Sequence, residues 1–148
     1  MRISARTRYG LNALIYMALQ GMTTENDCVA VINLSEQLNI SKIYLEQVFA
    51  LLKRGGIVQS VKGAGGGYFL AKPPAEISAF SVFSVIETAM FEEPKTPPES
   101  DDYIGNAMNN AILRPLDEAI KETLSAISLE SIADSAKKNS SENIMYYL

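Results

Sequence analysis

Apolar positions in the first half of the chain fall into helix-like groups separated by short polar breaks. Leu11, Leu14, Ile15, Ala18 and Leu19 recur at helical spacing behind Ser4, a good capping residue, and predict a helix over about 5–20 closed by Gly21. Residues 22–30 read as a polar loop. Leu34 and Leu38 follow four apart, with Asn33 and Glu36 spaced as an N-cap and a capping-box acid, so a short helix should run from about Ile32 or Asn33 to Leu38. Asn39 tolerates the left-handed conformation needed past a helix end. Ser41 then caps a third helix reaching about Arg54, with Leu45, Val48, Phe49 and Leu52 on one face and Gly55-Gly56 ending it. A short helix, a tight turn and a second amphipathic helix make a helix-turn-helix pattern. Two short helices of any all-α domain would look similar.

The periodicity then changes. Residues 57–61 are β-branched and of strand length, Tyr68-Phe69-Leu70 is a second strand candidate, and a glycine run separates them. Helix-turn-helix followed by a Gly-tipped hairpin is the order of a winged helix-turn-helix, closed here by Pro73-Pro74. Val82, Val85, Ile86 and Ala89 predict a short amphipathic helix over 81–90. Residues 91–102 hold three prolines, five acids and one base and read as a loop. Leu113, Leu116, Ile120, Leu124 and Ile127 mark a long helix starting near Asn106 or at Pro115, because proline fits a first turn but kinks a helix interior. Residues 128–138 predict one more short helix, and the tail Ile144–Leu148 is too apolar for a solvated end. The expected fold is mainly α with a small β-hairpin: a winged helix-turn-helix over 1–75, then a linker helix, an acidic loop, a long C-terminal helix and a tail over 76–148.

Composition narrows the chemistry. With 148 residues the chain fits one domain, or one domain and a helical appendage. No apolar run approaches the roughly 20 residues of a membrane span. The basic N-terminus lacks the apolar core of a signal peptide, which predicts a cytoplasmic protein. Cys28 is the only cysteine, so no internal disulfide can form. The chain has no histidine, which excludes Ser-His-Asp and Cys-His catalysis and leaves no recognisable nucleophile–base pair. The net charge of −4 conceals a division: residues 1–75 carry eight Lys/Arg against four Asp/Glu, and residues 76–148 carry five against thirteen. A basic first half suits contact with a polyanion.

Four of the nine glycines lie within 63–67, in VKGAGGGYFL. A Walker loop needs Lys-Ser/Thr after its last glycine, and a dinucleotide fingerprint needs a following helix. Here Tyr68-Phe69 follows, in a strand, so both nucleotide readings fail. As a wing tip, Gly63, Gly65 and Gly66 let the backbone approach a groove, and Lys62 brings a cation to it. On the third helix, Lys42, Ile43, Glu46 and Gln47 point away from the apolar stripe, with Ser41 and Tyr44 at its margin. Glu accepts from a cytosine amine, Gln pairs with adenine, and Ile meets a thymine methyl; Ser41 and Tyr44 suit phosphates. Arg2, Arg6 and Arg8 suit backbone clamps. The acidic segment 92–102 lacks regular metal-ligand spacing, and a lone cysteine such as Cys28 is more often incidental than a redox or metal sensor.

Three segments together carry a family resemblance: M-R-I-S-x-R-x-R-Y-G at the start, Ile40-Ser41-x-x-Tyr44-Leu45-Glu46-Gln47, and Val61-Lys62-Gly63-x-x-Gly66-Gly67-Tyr68. In this order and spacing the chain resembles the Rrf2 family of bacterial winged helix-turn-helix regulators. The resemblance implies a homodimer on a partly palindromic double-stranded operator. It assigns the third helix to the major groove, the wing to the minor groove and the long C-terminal helix to dimerisation. The DNA-facing set is then Arg2, Ser4, Arg6, Arg8, Tyr9, Ser41, Lys42, Ile43, Tyr44, Glu46, Gln47, Lys62, Gly63, Gly65 and Gly66. The dimerisation set is Leu113, Leu116, Ile120, Leu124 and Ile127.

Two departures follow. Cluster-binding members of the family hold three cysteines before the dimer helix, where residues 91–105 have none, so no iron–sulfur cofactor is expected. Many relatives carry arginine where Lys62 stands, and lysine, being more strongly hydrated, fits a narrow minor groove less well. The missing cysteines and the tyrosine-bearing tail resemble the branch that controls cysteine metabolism, which implies cysteine synthase as a partner enzyme. A protein-interaction module that uses this fold without DNA is the alternative.

Overall fold

The computed structural model describes residues 2–92 and 102–147, with side chains through residue 141. Helix α1 (Ala5–Leu19) is capped as the sequence predicts: the Ser4 hydroxyl accepts from the Thr7 N–H at 3.2 Å, and Gly21 takes φ +68° beyond its end. Helices α2 (Val31–Leu38) and α3 (Lys42–Arg54) make the helix-turn-helix. Between them Asn39 sits at φ 54°, and the Ser35 hydroxyl donates to the Ile40 carbonyl at 2.6 Å, closing the turn. The start of α2 differs from expectation. It begins at Val31 after Ala30 with no side-chain cap, and Asn33 lies inside the helix. The reason is tertiary: Val29 exchanges backbone hydrogen bonds with Tyr68 (2.9 and 2.8 Å), fixing where the chain leaves the sheet and enters the helix. Residues 22–30 are accordingly more than a polar loop, since Val29 is buried and paired.

Strands β1 (Val58–Val61) and β2 (Gly67–Leu70) pair antiparallel, with Val58 opposite Leu70 and Val61 opposite Gly67. The free edge of β2 is covered by Val29 and by a bond from the Leu70 N–H to the Met22 carbonyl at 2.8 Å. That leaves little of β2 for edge-to-edge association. Helix α4 (Ala79–Ile86), capped by Ser78, is shorter than the expected 81–90; a 3-10 turn over Thr88–Met90 follows Glu87.

A long helical rod then forms in three parts: α5 (Tyr103–Met108), a π turn over Asn109–Leu113, and α6 (Arg114–Ser125). The π turn resolves the Pro115 ambiguity. The Arg114 N–H donates five residues back, to Asn109, so the ladder widens just before the proline that cannot donate. The rod continues through Pro115. It stops at Ser125, however, and Ile127 stands in the link to the next helix, its carbonyl accepting from the Ala79 N–H at 2.8 Å. Ile127 is thus off the helix to which its spacing assigned it. Helix α7 (Leu129–Tyr147) packs along α1 and runs well past residue 138 into the apolar tail.

Ala13, Leu14, Met17, Leu34, Leu45, Val48, Phe49 and Leu52 share one core with Ile77, Val82, Ile86 and Leu129. The expected division at residue 75 therefore does not divide the core: α4 and α7 complete the packing of the winged unit. The acidic segment falls mostly on 93–101, outside the described residues. No helix among the described residues is long and apolar enough to cross a membrane.

Candidate nucleic-acid interface

The apolar stripe of α3 buries Leu45, Val48, Phe49 and Leu52, which turns the remaining face outward. Ser41, Lys42, Ile43, Glu46 and Gln47 are all exposed, and Ile43 keeps 70% of its surface bare. Ser41 caps the helix by accepting from the Tyr44 N–H at 3.5 Å. Lys42 and Glu46 pair one turn apart at 3.5 Å. A solvated pair of this kind is worth well under about 1 kcal/mol, so Lys42 can leave it for a phosphate, and Glu46 for a base amine, at little cost.

Helix α1 meets this face through aromatic rings. Tyr9 and Tyr44 stack edge-on with centroids 5.2 Å apart, which holds the first turns of α1 beside the N-terminal turn of α3. Arg2, Arg6 and Arg8 are exposed there. Arg8 and Tyr9 line a shallow depression with Ile3 and Asn12, the last unnoticed in the sequence. Ser4 is exposed but already committed, its hydroxyl to the α1 cap and its N–H to Glu87.

The wing is seated on α3 by Tyr68, whose ring lies 4.8 Å from that of Phe49. Its glycines have separate reasons. Gly63 takes φ +105°, a conformation that side chains rarely adopt, and its carbonyl accepts from the Gly66 N–H at 3.0 Å to close the tip. A Cβ on Gly66 would overlap the Val61 carbonyl, and one on Gly67 the Val29 carbonyl. Gly65 has open space around it, and its carbonyl accepts from the Cys28 thiol at 3.4 Å. Lys62, Gly63 and Gly65 are exposed, and Gly66 is half-buried. Cations on α1, α3 and the wing thus stand on one packed unit in which the outer face of α3 and the hairpin tip both lie bare.

The residues expected to dimerise divide. Leu113 and Leu116 are exposed on the rod, whereas Ile120 and Leu124 line a groove of the same protomer with Ile3, Phe83 and Met90. Ile104, Met108 and Ile112, outside the expected set, are exposed together with Leu116 and form an apolar row at four-residue steps. Such steps drift about 40° each around a regular α-helix. The π turn between Met108 and Leu116 takes back part of that drift and straightens the row. The four-residue spacing was a signal available in the sequence.

The Rrf2 family model, described as an iron-dependent transcriptional regulator, matches residues 3–135. The chain is 32% identical over 134 residues to the HTH-type transcriptional regulator IscR of Photorhabdus laumondii subsp. laumondii, covering 90% of this chain and 80% of that one. Among solved structures it is similar to CymR, the global cysteine regulator of B. subtilis, with a TM-score of 0.69, 30% identity and coverage of 91% and 98% of the two chains. IscR of T. potens is similar at a TM-score of 0.66 and 27% identity, with 91% and 88% covered. These relatives are regulators and not enzymes, and the winged unit they share is the one whose recognition helix and wing lie bare here. The chain belongs to the Rrf2 family of DNA-binding, winged-helix transcriptional regulators.

Proposed function

We propose that the chain acts as a homodimeric repressor on a partly palindromic operator, one α3 in the major groove of each half-site and one wing in the adjoining minor groove. The observation that carries this reading is the bare, capped face of α3 flanked by the arginines of α1 and by Lys62. The apolar row Ile104, Met108, Ile112 and Leu116 supports dimerisation along the rod, because a second copy is self-complementary to it. Lys62→Ala is expected to weaken DNA binding several-fold and to reduce the log–log salt slope by about 0.9, one phosphate's worth of counterion release. An unchanged slope in a salt titration would remove Lys62 from the interface. Repression predicts that deleting the gene raises transcription from bound promoters; a fall would mean activation.

The regulator works without an iron–sulfur cluster on this reading. Thiolates hold such clusters, and the sequence has one cysteine and no histidine. That cysteine, Cys28, is engaged at the wing, and no group of three or more His, Cys, Asp or Glu among the described residues could hold a metal. The residues present do not fit the iron dependence in the family's description. Aerobic and anaerobic preparations are both expected to lack visible charge-transfer absorption; a brown protein would contradict this. Similarity to the B. subtilis global cysteine regulator supports a role in cysteine metabolism. Cysteine synthase is the partner proposed with that role. A pull-down with and without O-acetylserine tests it, and absence of association in both conditions would refute the partnership.

A further inference from the structure

Helix α1 opens with a serine cap whose usual companion is missing. In a capping box the residue three places on is Glu or Gln, which reaches back to the N–H of the cap. Here that residue is Thr7, too short and already buried. Glu87, at the far end of α4, supplies the carboxylate instead. Its Oε1 accepts from the Ser4 N–H at 2.7 Å and from the Thr7 hydroxyl at 2.8 Å, 83 and 80 residues away in sequence. The box is therefore completed across the fold. Hydrogen bonding from the Ser4 side chain, then from its N–H and from Thr7, outweighs desolvation and holds the Glu87 carboxyl below its ordinary value, so it stays an anion at the positive end of the α1 dipole.

The residues fixed by this box are those that flank the cations. Arg2 lies two before the cap and Arg6 two after it. Ile3, between Arg2 and Ser4, lines the groove formed with Phe83 and Met90 on either side of Glu87.

We propose that Glu87 is a positioning residue for DNA binding: through Ser4 and Thr7 it sets the start of α1, and with it the aim of Arg2 and Arg6 at the phosphate backbone, while touching no DNA itself. This rests on the DNA-facing role given above to those arginines. It also makes a prediction opposite in sign to simple Coulomb reasoning. Removing an acid near a DNA-binding surface should tighten binding by reducing repulsion. Loss of a positioning acid should loosen it.

The test measures fluorescence anisotropy of a labelled mixed-sequence 24-bp duplex at low salt. Wild type, Glu87→Ala, Arg2→Ala/Arg6→Ala and the combined variant are compared, each checked for folding by circular dichroism. Glu87→Ala is expected to bind roughly tenfold more weakly in the wild-type background and with little change once both arginines are gone, the non-additivity of coupled groups. Glu87→Gln, which keeps an acceptor and the side-chain shape, is expected to lose less and takes the place of the alanine variant if that fails to fold. Unchanged or tighter binding would overturn the proposal. So would an equal loss in both backgrounds, which a merely destabilised helix would give. If wild type itself does not bind the duplex, the DNA-binding reading fails and this inference falls with it.

Discussion

Ile112→Glu is expected to split the proposed dimer into monomers and to lower operator affinity by on the order of 100-fold or more. Ile112 is 58% exposed in the protomer, so the substitution leaves the protomer's own core intact. In a dimer packed along the rod, each introduced glutamate would face the apolar row of the second copy, and an unpaired carboxylate from each chain would be buried where apolar contact stood. The affinity loss follows from linkage: with two half-sites engaged by one particle, the second contact is intramolecular, and a monomer forfeits that effective concentration. Sedimentation equilibrium at several concentrations checks the first part and operator titration the second. A variant that stays dimeric would move the interface off this row of the rod.

Gly67→Ala is expected to cost about 3 kcal/mol, within the range for substitutions that force backbone apart, and to lower the melting temperature by roughly 10 °C. The added methyl would strike the Val29 carbonyl and carbon and the Ala30 nitrogen, all main-chain atoms that no rotamer change can move. Relief requires breaking the Val29–Tyr68 pair, which holds both the edge of the wing and the entry to α2. Gly65→Ala is the control. It lies two residues away in the same glycine run, has open space around it and takes no positive φ, so its cost should stay within about 0.5 kcal/mol. Equal melting temperatures for the two variants would mean that the glycine run is a uniform flexible tip.

What was legible in the sequence was mostly local. Ser4 and Ser41 cap their helices, Asn39 takes the left-handed turn, and the hairpin pairs where the β-branched run and Tyr68-Phe69-Leu70 suggested. Each depends on residues a few places apart. Asn33 and Glu36 have the spacing of a capping box, yet a backbone pair made with Tyr68 in the wing starts α2 earlier. The carboxylate that does complete a box, Glu87, lies too far along the chain for spacing to reveal it. Pro115 obscures the rod because a π turn has no composition signature, and an uncertain helix start hides the row at Ile104, Met108 and Ile112. Ile127 kept the helical period by chance, just beyond the last turn.

A symmetric DNA reader should select its own site from random DNA. Purified protein is incubated with a random duplex library, retained DNA is amplified and re-selected, and the pool is sequenced. The expected product is an inverted repeat whose half-sites are centred about one helical turn, roughly 10 bp, apart, with preference concentrated where Ile43, Glu46 and Gln47 would face base edges. Retention of DNA without any symmetric motif, or of none even at low salt, would contradict it.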